Sequence, residues 1–536
     1  MNTNDIKYFA QQARLLLLEG VSQRLIYWGF DAKGNNTETL EATHGGYLFR
    51  GEVYTDTTVP AKWNALRKKI TSKQAVNDVV EQAAYTWFNR LMAIKILEEN
   101  QYLDPTLQFA EGVHTPMLVQ NAKQGNHTIT STTNRNLLID LLKENQEEQA
   151  FALLITNLCN KNKLLHDVFG RINDYTELLL PHNILQKDGL IDLINNGHIE
   201  KEDYQEVELI GWLYQFYISD KKDEVFAGFK KNKKARAEDI PAATQIFTPK
   251  WIVKYMVENT VGKIYLDYET DSSLRSQMKY LVENESDKNR TTIIDDITEL
   301  TLLDPACGSG HILVTGFELL FEMYMEAGYT ARNAVNNILK HNLFGLDIDD
   351  RAMQLSRFAV LLKGAELLKG NGNGISVSRE FMTNPTLIPH IYSFPEEQTF
   401  ESEELQSFLG ADGQQYSAEL RDALTLLNQG KNIGSALKID LSEEAVVCIE
   451  KQYNDWQQKQ QTSALDIQEL DIWNRLQPMM DVLLVLAKRY SAVVANPPYM
   501  GQKSMNEELK KYVNNNYPLS KSDLFSVFME VCVNLT

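Results

Sequence analysis

Residues 302–310 have the sequence Leu302-Leu303-Asp304-Pro305-Ala306-Cys307-Gly308-Ser309-Gly310, and this stretch decides the fold class. A short apolar run ends in an aspartate, glycines follow, and residues 311–314 continue as an apolar, helix-like segment. The order strand, glycine turn, helix is typical of nucleotide-binding units in α/β proteins, whose ligands lie at the carboxyl ends of parallel strands. Glycine lets the backbone approach a ligand closely, and Asp304 is placed to receive a ligand ammonium group. The stretch therefore predicts an α/β fold with a ligand site at this turn.

The glycine turn does not match the common phosphate-binding patterns. No Lys-Ser or Lys-Thr pair follows the glycines, and the three-glycine dinucleotide fingerprint is incomplete. A second short apolar strand, residues 342–346, leads into Asp347-Ile348-Asp349. Asp347 stands where the acidic residue after the second strand of a nucleotide-binding unit binds ribose hydroxyls. Two solvated carboxylates in a turn are the alternative interpretation.

A third apolar run, residues 492–495, is followed by Asn496-Pro497-Pro498-Tyr499. An exocyclic amino group of a nucleobase is a poor nucleophile because its lone pair is delocalised into the ring. The side-chain oxygen of Asn496 and the rigidly held carbonyl of Pro497 can each accept one N–H and stabilise the charge that develops on nitrogen. The ring of Tyr499 offers a stacking surface to an extruded base, a contact of about 1–3 kcal/mol. A plain strand-ending turn, for which Asn-Pro is a common signal, is the alternative.

Taken in order, residues 304–310, 347–349 and 496–499 resemble the motif series of S-adenosylmethionine-dependent DNA adenine-N6 methyltransferases. Upstream, Phe247-Thr248-Pro249 is similar to the Phe-Thr-Pro segment that contacts the methionine end of the cofactor in the gamma class of that family. The resemblance implies a Rossmann-like class I methyltransferase sheet, S-adenosyl-L-methionine as cofactor, and double-stranded DNA with a flipped adenine as substrate. It also implies two sets of site residues: catalytic Asn496, Pro497, Pro498 and Tyr499, and cofactor-binding Phe247, Thr248, Pro249, Asp304, Pro305, Ala306, Cys307, Gly308, Gly310, Asp347 and Ile348.

A narrower resemblance concerns residues 87–91 and 241–244, which are similar to the large PglX-type methyltransferases of bacterial phage-exclusion (BREX) systems. It implies a bacterial cytoplasmic protein that methylates host DNA while other phage-defence proteins block incoming phage. Residues 523–525, Asp-Leu-Phe, are similar to the family segment that closes the pocket around cofactor and base; an ordinary helix start capped by aspartate is the alternative. Residues 432–437 are the candidate for the family strand that contacts the cofactor adenine.

The 536 residues predict a mainly helical N-terminal domain at 1–240 and a methyltransferase catalytic domain at 241–536. A polar, largely helical surface insertion is expected at about 371–480. The clearest helix is predicted by an apolar stripe behind a Thr71-x-x-Gln74 capping pattern: Val76, Val80, Ala84, Trp87, Leu91 and Ile94. Four sheet strands are expected, near Leu302, Phe344, Ala436 and Val493. Because the family sheet has seven, the resemblance implies an incomplete sheet and a fragment of a longer protein.

The formal net charge of −19 opposes DNA binding unless positive charge is concentrated locally. Residues 230–236, Lys-Lys-Asn-Lys-Lys-Ala-Arg, form such a concentration; a solvated face or linker is the alternative. Leu15-Leu16-Leu17-Leu18 falls far short of the roughly 20 apolar residues of a membrane span, so no membrane contact is expected. Four cysteines imply no disulfide framework and favour the cytosol, and nine scattered histidines predict no metal site.

Two other classes of function remain open at this point. Asn-Pro-Pro-Tyr also occurs in methyltransferases that act on protein glutamine or on an RNA base. The chain is alternatively a catalytically silent cofactor-binding module of a defence complex. A fused magnesium nuclease is not expected, because the chain has no Pro-Asp dipeptide.

Overall fold

The structure is a computed structural model. It describes residues 1–44, 46–54, 56, 58–172, 174–231, 233–244, 248–283, 294–370 and 374–536.

The described part is mainly helical. Its α-helices are α1 Thr3–Tyr27, α2 Val59–Lys69, α3 Lys73–Glu99, α4 Met117–Lys123, α5 Thr132–Lys143, α6 Glu147–Lys161, α7 Lys163–Phe169, α8 Leu190–Asn196, α9 Glu208–Tyr217, α10 Ser219–Lys230, α11 Ile240–Thr244, α12 Lys250–Val257, α13 Lys263–Tyr268, α14 His311–Glu326, α15 Ala331–Asn337, α16 Asp350–Leu368, α17 Gly374–Thr383, α18 Ser402–Gly413, α19 Ser417–Leu427, α20 Gly430–Ile433, α21 Glu443–Gln461, α22 Ile467–Ala487, α23 Glu507–Asn516 and α24 Leu524–Leu535. The strands are β1 Glu41–Thr43, β2 Gly46–Phe49, β3 Glu52–Tyr54, β4 Leu302–Asp304, β5 Leu343–Asp347, β6 His390–Ser393 and β7 Ala492–Val493.

The chain forms two compact units. The first comprises Met1–Tyr217 and Gly372–Thr386, and the second comprises Ile218–Asn371 and Leu387–Thr536. The first unit is helical apart from an antiparallel meander of β1, β2 and β3, which the sequence did not lead us to expect.

Helix α3 is the longest described helix of the first unit, and five of the six residues of the predicted apolar stripe are buried in it, while Val76 is half-buried. Val80, Ala84, Trp87, Leu91 and Ile94 are buried. The predicted cap is wrong by one residue, because Ser72 is the N-cap and its Oγ accepts a hydrogen bond of 3.2 Å from the Ala75 N–H. A hydroxyl at this position satisfies one of the amide groups that the first helical turn leaves without a partner.

The second unit contains the Rossmann-like parallel sheet that the motifs predict. Its strand order is β6-β5-β4-β7, and the three pairings are parallel. In chain order these strands are the third, second, first and fourth, which is the order of a doubly wound nucleotide-binding sheet. The order reverses between β4 and β7, so a ligand crevice is expected at the carboxyl ends of these two strands.

One of the four expected strands is in a different place. Residues near Ala436 do not form a strand: Gly434–Ala436 is a turn of 3-10 helix, and Gly434 has a φ of 63° that no extended strand adopts. The strand is instead β6, His390–Ser393, which pairs with β5 inside the range expected to be a helical insertion. Helices α21 and α22 of the same range bury Trp456 and Trp473, so they contribute to the hydrophobic core of the second unit.

Candidate active site

Three predicted site residues lie at neighbouring strand ends. Leu303 pairs with Val493 and with Phe344 in the parallel registers of β4 with β7 and β5. Because parallel strands end at the same edge of a sheet, Asp304, Asp347 and the segment that begins at Asn496 meet at this edge. The Val494 N–H extends the pairing with a hydrogen bond of 2.9 Å to the Leu303 carbonyl.

The glycine turn after β4 is fastened to β5. The Cys307 N–H donates to the Leu346 carbonyl at 2.9 Å, and the Gly308 N–H donates to Asp347 Oδ2 at 2.8 Å. Burial raises the pKa of the Cys307 thiol well above its ordinary value, so this cysteine is a protonated packing residue.

Gly310 is required where the turn enters α14. Its φ is 87°, and a Cβ at this position would lie 2.4 Å from Ser356 Oγ of α16. Gly308 also has a positive φ, of 53°, but a Cβ there would meet nothing within 4 Å. The turn is therefore packed against the protein at Gly310 and open at Gly308, as a loop that carries a ligand needs to be.

Asp304 carries a buried carboxyl group at the end of β4. Its exposed fraction is 1%, and Oδ1 accepts a hydrogen bond of 3.0 Å from the Ala306 N–H. Burial raises the pKa of Asp304 to about 8, and the neighbouring charge of Asp347 adds to the increase. A buried carboxyl group with such a pKa is stabilised in its ionised form by a cation, and a ligand ammonium group supplies one.

Asp347 links the glycine turn to the segment after β5. Besides the bond from Gly308, its Oδ1 accepts from the Asp349 N–H at 2.8 Å. Burial raises the pKa of Asp347 to about 6, while the two main-chain bonds favour the ionised form. Each carboxylate oxygen keeps a second lone pair for a further donor such as a hydroxyl group.

Thr248 of the upstream Phe-Thr-Pro segment contacts Asn496 of the Asn-Pro-Pro-Tyr segment. Asn496 Nδ2 donates a hydrogen bond of 2.8 Å to Thr248 Oγ1. Pro249 is the N-cap residue of α12 and is exposed. Phe247 lies outside the described residues.

Tyr499 presents an exposed aromatic ring beside Asn496. Its exposed fraction is 47%, and its ring stacks against Phe525 at a centroid distance of 6.1 Å and an interplanar angle of 29°. Phe525 follows Asp523, the N-cap of α24, whose Oδ1 also accepts from the Met500 N–H at 3.2 Å. The ordinary helix-cap interpretation of Asp523 is therefore confirmed, and the same carboxylate fastens the start of α24 to the segment after Tyr499.

The segment 432–437 is not a strand, yet it lies against the glycine turn. Ser435 Oγ donates to the Pro305 carbonyl at 2.6 Å, and Ser435 is buried. A Cβ on Gly434 would lie 3.0 Å from the side chain of Ile348. Gly434 and Ser435 make these two close contacts. The same two residues are unfavourable in a strand, so their presence in the sequence already indicated a turn here.

The arrangement fits S-adenosylmethionine on observations of this chain. Asp304 is a buried carboxyl group that accepts a hydrogen bond from the Ala306 N–H and forms no ion pair with a described residue, and a Cβ on Gly308 would meet nothing within 4 Å. Asp347 provides carboxylate oxygens one strand away.

The basic run 230–236 lies next to the segment that follows Tyr499. The Ala235 N–H donates to the Ser504 carbonyl at 3.0 Å, and Lys234 forms an ion pair with Glu507. Arg236 pairs with Asp239, so only part of the run is neutralised within the protein.

Family models match the region that carries these features. The model described as "Eco57I restriction-modification methylase" matches residues 341–536, and "MmeI, DNA-methyltransferase domain" matches residues 281–370. Together the two methylase models match residues 281–536 of this chain.

Two relatives match this chain over its whole length. The adenine-specific methyltransferase BrxX of Escherichia coli O9:H4 (strain HS) is 35% identical over 565 residues, which cover 100% of this chain and 45% of that protein. The adenine-specific methyltransferase PglX of Lacticaseibacillus casei (strain Zhang) is 32% identical over 571 residues, with 100% of this chain and 46% of that protein covered. This chain is homologous over its whole length to the adenine-specific methyltransferases BrxX and PglX, and it spans about half the length of these relatives.

Among solved structures, the type IIL restriction-modification enzyme MmeI in complex with DNA matches with a TM-score of 0.36 and 12% identity, over 84% of this chain and 45% of that one. In the part of the chain that is described, no helix is long and apolar enough to cross a membrane. The same residues contain no group of three or more His, Cys, Asp or Glu side chains placed to hold a metal ion.

Proposed function

We propose that the protein transfers a methyl group from S-adenosylmethionine to the N6 amino group of a flipped adenine in double-stranded DNA. The observation that carries the proposal is the hydrogen bond from Asn496 Nδ2 to Thr248 Oγ1 at the edge of the sheet where Asp304 and Asp347 end their strands. It brings the predicted base-binding segment to the predicted cofactor-binding segment. A strand-ending turn that served only the fold would not require these two segments to meet.

Cofactor binding is supported by the buried carboxyl group of Asp304 and by the open space at Gly308. Asp304 receives the ammonium group of the methionine end, since a cation stabilises the ionised form of its buried carboxyl group. Asp347 accepts from ribose hydroxyls, and Thr248 and Pro249 line the methionine end together with Phe247. Residues Pro305, Ala306, Cys307, Gly308, Gly310 and Ile348 shape the surrounding turn and wall. Bound S-adenosylmethionine supplies a methyl group on a positively charged sulfur, which makes that carbon electrophilic.

The base-binding part rests on fixed acceptors and on a stacking surface. The bond to Thr248 holds the amide plane of Asn496 in one orientation. With Nδ2 on Thr248, Oδ1 lies on the opposite side of the amide, where it accepts from the adenine amino group. The Pro497 carbonyl accepts the second amino hydrogen, and Pro498 restricts the backbone between this carbonyl and Tyr499. When the nitrogen attacks the methyl carbon, the carbon–sulfur bond would break and the sulfur would leave as a neutral thioether. The two oxygens would stabilise the positive charge on the nitrogen until it loses its extra proton to water.

The exposed Tyr499 and Phe525 rings offer the flipped adenine an aromatic surface. Base stacking on such side chains contributes about 1–3 kcal/mol and offsets part of the cost of extruding the base. The homology to BrxX and PglX supports a role in bacterial phage defence in the cytoplasm, with other defence proteins as partners.

The test is tritium transfer from labelled S-adenosylmethionine to duplex DNA by the full-length gene product, beside Asn496→Ala. We expect label in DNA with the wild type and a loss of at least about 100-fold in the variant, since removal of one such acceptor costs about 10²–10³ in rate. Cofactor binding by the variant is the control for folding. Label in protein or RNA but not in DNA would replace the proposal by its nearest alternative, and cofactor binding without transfer would favour a silent module.

A further inference from the structure

Four exposed lysines lie on three chain segments beside the aromatic pair of Tyr499 and Phe525. Two belong to the basic run, one follows Tyr499 by four residues, and one precedes Asp523 by two. We call them the lysine rim: Lys231, Lys233, Lys503 and Lys521.

Main-chain hydrogen bonds hold two of these segments side by side. Gly501 and Asp523 form an antiparallel bridge, the Leu524 N–H donates to the Met500 carbonyl at 3.1 Å, and the Gln502 N–H donates to the Ser522 carbonyl at 3.0 Å. The pairing therefore runs from residue 500 with 524 to residue 502 with 522. Beyond this pairing both segments form turns, and these turns contain Lys503 and Lys521.

The third segment joins the same assembly through its backbone. The Ala235 N–H donates to the carbonyl of Ser504, the neighbour of Lys503. Lys233 precedes Ala235 by two residues, so this end of the basic run adjoins the turn that contains Lys503.

The lysines of the rim differ from Lys234 in having no ion pair with a described carboxylate. Lys234, which belongs to the same basic run, pairs with Glu507. Four exposed lysines on three segments that main-chain hydrogen bonds hold together constitute a site for an external anion with repeated negative charge.

We infer that the lysine rim binds the phosphodiester backbone of the DNA strand that carries the target adenine. The inference rests on the proposed function, because it takes duplex DNA as the substrate. The rim adjoins the paired segments that carry Tyr499 and Phe525, so phosphates next to the flipped nucleotide are the ones within its reach. Lysine ammonium groups bind phosphates as point charges and release condensed counterions. The rim thus positions the strand without reading its sequence.

The experiment measures the dissociation constant of duplex DNA for the full-length protein over a series of KCl concentrations. Each phosphate contact contributes about 0.9 to the slope of log K against log salt concentration. Lys503→Gln/Lys521→Gln is therefore expected to reduce the slope by about 1.8, and Lys231→Gln/Lys233→Gln to reduce it by a similar amount. The control is Lys451→Gln/Lys459→Gln on α21, which changes the net charge equally and is expected to leave the slope within about 0.5 of the wild type. Lys503→Arg/Lys521→Arg retains the charges and is expected to retain the slope.

The outcomes separate this inference from the proposed function. Unchanged cofactor affinity and melting temperature in the Gln variants show that the fold is intact. If the wild type methylates DNA and the rim variants keep its slope, the rim inference is overturned and the proposed function stands. If the slope falls as expected although no methyl group reaches DNA, the rim stands and the proposed function fails. A slope that falls with single-stranded RNA but not with duplex DNA, or a wild type that binds no duplex, also overturns the inference.

Discussion

Thr248 Oγ1 lies 2.8 Å from Asn496 Nδ2, although the two residues are 248 positions apart in the sequence. The contact joins the segment before α12 to the segment after β7, and it places the Asn496 amide at the point where the strand order of the sheet reverses. Both the proposed cofactor site and the proposed base site depend on this junction.

Replacing Thr248 by valine removes the acceptor hydroxyl while it preserves the shape of the side chain. We expect kcat for DNA methylation to fall about fivefold, which corresponds to about 1 kcal/mol for one hydrogen bond. Thr248→Ser keeps the hydroxyl and is expected to keep most of kcat. Steady-state kinetics with KM and kcat determined separately provides the measurement. Equal loss in the valine and serine variants would contradict an orienting role of the hydroxyl.

Tyr499→Ala removes one ring of the exposed aromatic pair. Since stacking contributes about 1–3 kcal/mol per base, the variant is expected to hold a flipped base about 5- to 150-fold less well. The readout is the fluorescence of 2-aminopurine placed at the methylated position of a duplex, which increases when the base leaves the stack. Tyr499→Phe retains the ring and serves as the matched control. A full fluorescence increase with Tyr499→Ala would show that the ring does not receive the base.

The pKa of Asp304 predicts a pH-dependent affinity for the cofactor. Burial raises this pKa to about 8 in the folded protein, compared with about 3.9 in an unfolded chain. Between these values the folded state holds a proton that the unfolded state has released, so the contribution to stability is present below about pH 4 and is lost as the pH rises through 8.

An ammonium group of the cofactor favours the ionised carboxylate, and its binding must displace this proton. We therefore expect the dissociation constant of S-adenosylmethionine to fall by up to about tenfold per pH unit between pH 6 and 7. Calorimetry in two buffers of different ionisation enthalpy measures the released proton directly. Asp304→Asn should bind more weakly and without proton release. A wild type whose affinity is the same at pH 6 and pH 7 contradicts the assigned role.

Gly310 and Gly328 provide a matched pair of glycine substitutions. Both have a positive φ, 87° and 85°, but a Cβ on Gly310 meets Ser356 at 2.4 Å whereas one on Gly328 meets nothing within 4 Å. Gly328→Ala should cost about 1–2 kcal/mol of unfolding free energy from backbone strain. Gly310→Ala should cost about 1–3 kcal/mol more from overpacking, and it should also weaken cofactor binding. Denaturant unfolding and cofactor titration check both, and equal costs would argue against the close packing of the turn.

Three of the four strands in the parallel sheet of the second unit could be predicted from local sequence, and the fourth could not, for a physical reason. Strands β4, β5 and β7 are apolar runs that end in Asp304, Asp347 or the Asn-Pro-Pro-Tyr segment, so composition and motif agree. Strand β6 has the sequence His390-Ile391-Tyr392-Ser393, which is short and only partly apolar, and its strand character comes from pairing with β5. Such pairing is a tertiary effect that local propensity does not report.

The candidate site also has features that the sequence predicted and features that it did not. Strand-end placement was expected because parallel strands end at the same edge of a sheet. The resemblance singled out Tyr499 and Phe525 separately, and the stacking of their rings was not predicted. The contacts of Ser435 with Pro305 and of Asp523 with Met500 were not predicted, because each joins distant parts of the chain through one side-chain atom.

The most direct test of the central claim is mass-spectrometric analysis of nucleosides from duplex DNA after incubation with S-adenosylmethionine and the full-length protein, wild type or Asn496→Ala. We expect N6-methyladenine with the wild type and its near absence with the variant, while both bind the cofactor equally well. N6-methyladenine formed at wild-type rate by Asn496→Ala, or a different methylated nucleoside formed by the wild type, would contradict the claim.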